Sequence, residues 1–221
     1  MPSVAQRYRY IYKPAVFTAS LAPAVLLALG AFNLLGQSLG PDPVSRLLHA
    51  CGHTALNFIL ITLLVTPVRE MSGLTNLARL RRMLGLFTLF YASLHFLVYL
   101  LLDQELDLKA VLADITKRPY ITLGFAALLM LIPLGVTSTA RMMRRLGRRW
   151  QRLHQLIYPA AILGVWHYYW QVKRDVREPL LYASLLALLL GYRIVTRWQR
   201  SRQASRRLTS TSGSATAPER T

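Results

Sequence analysis

Six apolar stretches dominate this chain, each about the 20 residues that a helix needs to cross a hydrocarbon layer of about 30 Å. They run from Pro14 to about Leu34, Leu47 to Val68, Met83 to Leu102, Pro119 to Thr139, Leu153 to Val172, and Pro179 to about Trp198. Backbone in hydrocarbon must satisfy its own polar groups, so runs of this length dictate helices. Pro23, Pro67, Pro133 and Pro159 fall inside or near the ends of four stretches, where neighbouring helices can take up the freed groups. No internal repeat is evident. The expected fold is an all-α membrane protein, a six-transmembrane-helix bundle over residues 14–198. Residues 1–13 form a short N-terminal segment. The Ser/Thr/Arg-rich tail, 199–221, holds too little apolar surface to order itself.

Charge orients the bundle. Lys and Arg number 27 against 9 acids, a net charge of +18, although 53% of the residues are hydrophobic and the mean hydropathy is +0.32. A nucleic-acid binder would scatter such charge among polar residues; here it crowds into the segments outside the apolar stretches. Twenty of the Lys and Arg lie in the N-terminus, the 69–82 and 141–152 loops and the tail from Arg193. Seven lie in the alternate loops, together with Asp42, Asp103, Glu105, Asp107, Asp114, Asp175 and Glu178. Positive charge collects on the cytoplasmic side of a membrane, so both termini are expected there. The outer side is then neutral, and the charge reports topology and attraction to anionic lipid, with no nucleic-acid partner. Arg193 and Arg197, near the end of the sixth stretch, are expected to snorkel outward. The basic segment RMMRRLGRRWQRLH could also receive a flavin phosphate or an acidic electron donor. The first stretch is longer than a signal-peptide core and lacks a small-x-small cleavage site, so it is expected to stay as a helix. The single Cys51 excludes an intrachain disulfide framework, a dithiol oxidoreductase and a Cys-ligated iron–sulfur cluster.

All five histidines, His49, His53, His95, His154 and His167, lie in the apolar stretches. A polar ring in hydrocarbon is costly unless satisfied, which makes each a functional candidate: haem ligand, proton relay, zinc ligand or interhelical hydrogen-bonding partner. Depth separates them. At about 1.5 Å per residue, His95 lies roughly 18 Å and His167 roughly 21 Å from the cytoplasmic edge, on helices running the same way. Level imidazoles on parallel helices suit two axial ligands of one b-type haem nearer the outer surface. His53 enters from the outside to a depth of roughly 9 Å, which makes it the weaker, rival candidate. His154 sits near the cytoplasmic edge and cannot serve the same iron. The 13-residue gap to His167 spans roughly 20 Å and would suit two stacked haems, but the two rings share a face only if the helix distorts at Pro159 or Gly164. Zinc is less apt, because no carboxylate or thiol cluster accompanies the His49–His53 pair. Tyr91, His95 and Tyr99 share a helical stripe, and Trp166, Tyr168, Tyr169 and Trp170 flank His167. The latter group reads either as an interfacial aromatic belt or as a cofactor pocket.

The stretches LARLRRMLGLFTLFYASLHFLVYLL, RRLGRRWQRLHQLIYP and WHYYW together resemble the MsrQ (formerly YedZ) family of haem-binding membrane subunits. The likeness covers nearly all of residues 10–198, and the wider group is the ferric-reductase-like transmembrane domain. The resemblance implies one or two b haems between the third and fifth helices, with His95 and His167 as the outer pair and His154 as an inner ligand. Relatives among the NADPH oxidases carry a further histidine where this chain has Arg81, Arg82 and Met83, so an inner haem lacks its usual second ligand. The resemblance further implies electrons from the quinol pool or a cytosolic flavin reductase, FMN associated with the subunit, and delivery to the periplasmic molybdopterin reductase MsrP. Methionine-sulfoxide reduction would then belong to MsrP, and no catalytic residue is expected in this chain. Two other classes remain: a proton-coupled transporter using the histidines, and a non-redox membrane scaffold. Against the transporter, no Asp or Glu lies well inside a stretch and no matching halves carry paired broken helices.

Overall fold

In the computed structural model, residues 6, 8–34, 36, 39–73, 77–172 and 175–214 are described, and the ordered backbone among them is helical. A π-helical turn, Tyr8–Tyr12, leads into α1 (Lys13–Ala31). Then come α2 (Pro43–Ser72) and α3 (Leu77–Val98), which continues through a second π turn, Tyr99–Asp103. A short α4 (Leu108–Lys117) precedes α5 (Pro119–Val136), and two brief basic helices follow, α6 (Ala140–Leu146) and α7 (Arg148–Leu153). A 3-10 turn, His154–Leu156, leads into α8 (Ile157–Gln171), and α9 (Arg177–Ser214) follows.

Local chemistry accounts for the boundaries. The Asp42 carboxylate accepts from the Ser45 N–H at 3.0 Å and Pro43 occupies the first turn, so α2 starts there. It stops at Gly73, whose φ of 71° is the left-handed conformation that glycine adopts without a Cβ penalty. Asp107 caps α4 by accepting from the N–H groups of Lys109 and Ala110. Arg118 is extended because Pro119 follows it, and this separates α4 from α5. Pro23, Pro67 and Pro133 lie inside helices. Pro159 instead sits in the first turn of α8, where its missing N–H costs no intrahelical bond. The break between His154 and His167 therefore falls at the 3-10 turn 154–156, just ahead of the two residues expected to distort.

Among the described residues, five helices are long and apolar enough to cross a membrane: Tyr10–Ala31, Pro43–Ser72, Arg79–Asp103, Pro119–Val136 and Arg177–Gln203. The expected fifth crossing is different, a 15-residue α8 preceded by the 3-10 turn. α9 continues as helix to Ser214, past the Trp198 boundary read from hydropathy, and 215–221 lie outside the described residues.

α2 is the hub. One side packs on α3, and the opposite side meets α8 and α9. The larger core joins Ile59, Leu60 and Leu63 of α2 to Leu131 and Leu134 of α5, to Ile157, Ala160, Ala161 and Val165 of α8, and to Leu186 of α9. The second joins Phe58 and Val65 to Leu84, Phe87 and Tyr91 of α3, with α1 laid over it through Val16, Leu21 and Ala24. Outward-facing side chains such as Phe17, Leu26, Leu129, Leu188 and Ile194 are large and apolar, as lipid contact requires.

Tyr91 explains how α1 is held. Its ring is fully buried and stacks on Phe58, with centroids 5.3 Å apart. Its hydroxyl donates to Ser20 O at 2.7 Å and accepts from Ala24 N–H at 3.1 Å. Those groups are left free because Pro23 and Ala24 sit in a proline-interrupted turn. Tyr91→Phe should leave buried backbone groups unpaired and destabilise the protein by about 1–3 kcal/mol, read as a lower thermal midpoint in detergent. An unchanged midpoint would mean that lipid-facing slack lets α1 re-pair them.

Arg193 corrects an expectation. Rather than snorkelling, it turns into the bundle, only 8% exposed, and donates to Tyr158 Oη at 2.9 Å and Leu63 O at 2.7 Å. It lies on the face of α9 that packs against α2 and α8, whereas Arg197 is exposed.

Candidate functional site

A cavity of about 250 Å³ opens between α2, α3, α5 and α8. Its walls are mostly apolar, Leu56, Ile59, Ala92, Phe96, Phe125 and Leu128 among them, and four of the five histidines, His49, His53, His95 and His167, line it.

Two of these are gripped in the same manner. His95 Nδ1 lies 2.8 Å from Leu48 O, and His167 Nδ1 lies 2.7 Å from Tyr120 O. A carbonyl can only accept, so each Nδ1 carries the proton and each Nε2 keeps its lone pair. Four residues beyond each carbonyl stands a glycine that makes room for the ring. A Cβ on Gly52 would come within 3.1 Å of His95 Cε1 and Nδ1, and one on Gly124 within 2.9 Å of His167 Nδ1. The pattern is duplicated: carbonyl and glycine on one helix hold the imidazole of its antiparallel partner, α2 holding α3 and α5 holding α8. Each carbonyl precedes its histidine by 47 residues. The two rings face one another across the cavity, with centroids 6.2 Å apart and planes at 75°.

That separation tests what could lie between them. A metal–imidazole bond of about 2 Å on each side, plus about 1.1 Å from each ring centre to its nitrogen, adds to about 6 Å. The tautomer, the spacing and the apolar walls all fit a planar haem held by two neutral imidazoles. A bare zinc ion fits less well: among the described residues, no group of three or more His, Cys, Asp and Glu is placed to hold a metal ion.

The other histidines have different surroundings. His53 is half-buried, with its ring set edge-on to Tyr168 at 4.8 Å and Tyr182 at 6.3 Å. His49 is exposed, and its Nδ1 donates to Ser45 O at 2.7 Å within its own helix. His154 lies outside the cavity lining. It stacks on Trp150 with centroids 3.8 Å apart, its Nδ1 faces Trp150 O at 3.1 Å, and its Nε2 is 3.5 Å from Ser138 Oγ. The aromatic residues near His167 divide: Tyr168 is buried against the cavity and donates to Glu178, while Trp166, Tyr169 and Trp170 face outward. On α3, Tyr99 lines the cavity and donates to Asp114, but Tyr91 belongs to the α1 contact.

The positions missed from sequence are Gly52 and Gly124 with the carbonyls of Leu48 and Tyr120. A carbonyl carries no sequence signal. The glycines did carry one, since each precedes its histidine by the same interval, but interval alone does not distinguish them from other glycines in the apolar stretches.

The family described as "Ferric reductase like transmembrane component" matches residues 49–165, a stretch that includes His49, His53, His95 and His154 and ends just before His167. A protein of Xanthomonas campestris pv. campestris (strain B100), named "Protein-methionine-sulfoxide reductase heme-binding subunit MsrQ", is 50% identical over 197 residues, covering 88% of this chain and 90% of that one. Proteins of the same name from Xanthomonas euvesicatoria pv. vesicatoria (strain 85-10) and Rhodospirillum rubrum are 48% identical over 200 residues and 50% identical over 189. They cover 89% and 85% of this chain and 92% and 89% of their own lengths. No solved structure matches the chain. With identity at this level along nearly the whole helical bundle, the chain belongs to the MsrQ family of ferric reductase-like transmembrane proteins.

Proposed function

We propose that this chain is a b-type haem subunit that passes electrons across the bacterial inner membrane to a periplasmic molybdopterin methionine-sulfoxide reductase, MsrP, drawing them from the quinol pool or a cytosolic flavin reductase. The observation that carries the reading is the facing pair of imidazoles, 6.2 Å apart, each with Nδ1 donating to a backbone carbonyl. The relatives' name, a heme-binding subunit of a protein-methionine-sulfoxide reductase, supports haem and a methionine-sulfoxide-reducing partner, and the family resemblance supplies the electron route. FMN and quinol rest on the family resemblance alone.

When bound, haem supplies one-electron chemistry at its iron. This chain's residues do the rest. His95 and His167 offer Nε2 lone pairs, and the Leu48 and Tyr120 carbonyls fix the tautomer and raise each ring's basicity. Gly52 and Gly124 let the helices close on the backs of the rings, which limits ring rotation. The apolar walls exclude water and lower the local dielectric. His53 borders the same cavity but packs on Tyr168 and is the weaker ligand candidate. An inner haem on His154 has only the resemblance behind it.

The same reading takes the fold as six crossings with both termini cytoplasmic. Contacts along α5 support the sixth: His167 reaches Tyr120 O at its start, and Trp150 Nε1 reaches Thr137 O at 3.0 Å at its end. The segment 150–167 thus runs antiparallel along a helix that is itself long enough to cross. The asymmetry of Lys and Arg supports the orientation.

Protein purified from haem-replete cells is expected to show a Soret band, with split α and β bands on dithionite reduction. Colourless protein would refute the redox reading in favour of a transporter or scaffold. Without oxygen, reduced protein mixed with a catalytic amount of MsrP should reoxidise fully only when a methionine sulfoxide is added, and reoxidation indifferent to the sulfoxide would refute the partner.

A further inference from the structure

The end of the bundle remote from the histidine cavity holds a buried positive charge with no matching carboxylate. Arg193 is 8% exposed, and its Nη1 and Nη2 groups donate to neutral acceptors, Tyr158 Oη and Leu63 O. Its Nε is buried with no hydrogen-bond partner. Two further guanidinium groups converge on the same tyrosine: Arg197 stands 5.9 Å from its ring centroid, and Arg81, from α3, lies within interaction range of its hydroxyl and of Arg193. Arg193 itself lies over that ring at 5.4 Å. Among the described residues, Glu70 is the carboxylate at this end, and it is committed to Arg200 at 2.8 Å, Tyr192 at 3.1 Å and Arg69 at 3.9 Å. No ion pair among the described residues includes Arg81, Arg193 or Arg197.

A desolvated guanidinium with only neutral partners is unfavourable, and two more cations beside it make it more so. Electroneutrality calls for an anion at the mouth of the cluster, where Arg197 is exposed and Arg81 half-buried. The surroundings say where that anion comes from. Ile194, Val195 and Trp198, on the same stretch of α9, are exposed large apolar residues that belong against acyl chains. A phosphate reaching Arg81 and Arg197 beside that surface would arrive with its own apolar tails. Cationic pockets between helices at a membrane face suit such headgroups.

We infer that Arg81, Arg193 and Arg197 around Tyr158 form a phosphate-binding site filled by the headgroup of an anionic phospholipid. Arg193 acts from beneath, holding Tyr158 and adding its field, while Arg81 and Arg197 touch the phosphate. The site is separate from the histidine cavity and does not depend on its occupant.

The test uses the full chain in nanodiscs and in detergent, with phosphatidylglycerol, cardiolipin or phosphatidylcholine as lipid, and native mass spectrometry as the readout. The wild type should retain anionic lipid through delipidation and should unfold at a higher temperature with it than with phosphatidylcholine. The double variant Arg81→Gln/Arg197→Gln should bind it about 25-fold more weakly, at roughly a fivefold loss for each cation removed. Arg144→Gln/Arg148→Gln, on the surface basic segment, should leave the retained lipid in place and separates this site from general attraction to a basic protein. Arg193→Lys keeps the charge where Arg193→Ala could fail to fold, and it should hold lipid better than Arg193→Gln. Equal retention by the wild type and the Arg81/Arg197 variant would overturn the site. Displacement of the lipid by millimolar inorganic phosphate or a nucleoside monophosphate would overturn the lipid source in favour of a soluble phosphate.

Discussion

His95→Ala and His167→Ala are each expected to abolish the same haem signal, the Soret band together with the split α and β bands, while His49→Ala leaves most of it. On the reading proposed above the two rings, 6.2 Å apart, hold the iron between them, and His49 and His53, which line the same cavity, are turned to Ser45 and Tyr168. His49 differs because its Nδ1 is tied to Ser45 in its own helix and its ring is exposed. His53→Ala should likewise retain the signal, since His53 packs edge-on to Tyr168. The measurement is the reduced-minus-oxidised spectrum of purified protein, scaled to protein content. If His53→Ala removes the signal and His167→Ala does not, the ligand assignment is wrong even though the family is right. Imidazole added to the alanine variants should restore bands only where the missing ring was a ligand, which separates lost ligation from misfolding.

Gly124→Ala is expected to weaken haem binding 10- to 100-fold, the usual cost of disturbing the group that orients a metal ligand. A Cβ there would lie 2.9 Å from His167 Nδ1, closer than such atoms approach, and 3.0 Å from Cε1 and 3.1 Å from Cγ, tighter than most such contacts. The ring must tilt or α5 must retreat from α8, and either movement stretches the Nδ1–Tyr120 bond. Gly52→Ala meets His95 at 3.1 Å and should have the smaller effect. Gly191→Ala is the control, because nothing lies within 4 Å of the added methyl. Transfer of haem to apomyoglobin gives the rate of loss, and the thermal midpoint reports any overpacking, about 1–3 kcal/mol. A Gly124→Ala protein that keeps its haem as the wild type does would show that His167 has room to spare, and the clamp would then be incidental.

The helical fold and the candidate histidines are legible in the sequence for a simple reason. Hydrophobicity summed over about 20 residues and charge summed over whole loops are averages, and averages survive ignorance of packing. The level placement of His95 and His167 came from the helical rise alone, and the rings do face each other. Depth arithmetic says nothing about azimuth, however. It could not show that His154 turns onto Trp150, that Tyr91 leaves the stripe it shares with His95 to hold α1, or that Tyr168 turns inward while its aromatic neighbours turn outward. The fifth apolar stretch also shows a limit of averaging: its hydropathy hides a 3-10 turn at 154–156, which leaves α8 at 15 residues.

Composition and periodicity thus specify that the chain is a basic-faced helical membrane bundle with imidazoles at a common depth, because these depend on one helix at a time. Three features depend on which face of one helix meets which face of another: the Leu48–Gly52 and Tyr120–Gly124 grips, the inward turn of Arg193 onto Tyr158, and the apolar cavity itself. Each is built from backbone carbonyls, missing Cβ atoms or side-chain directions across pairs of helices. No single stretch of sequence carries that information.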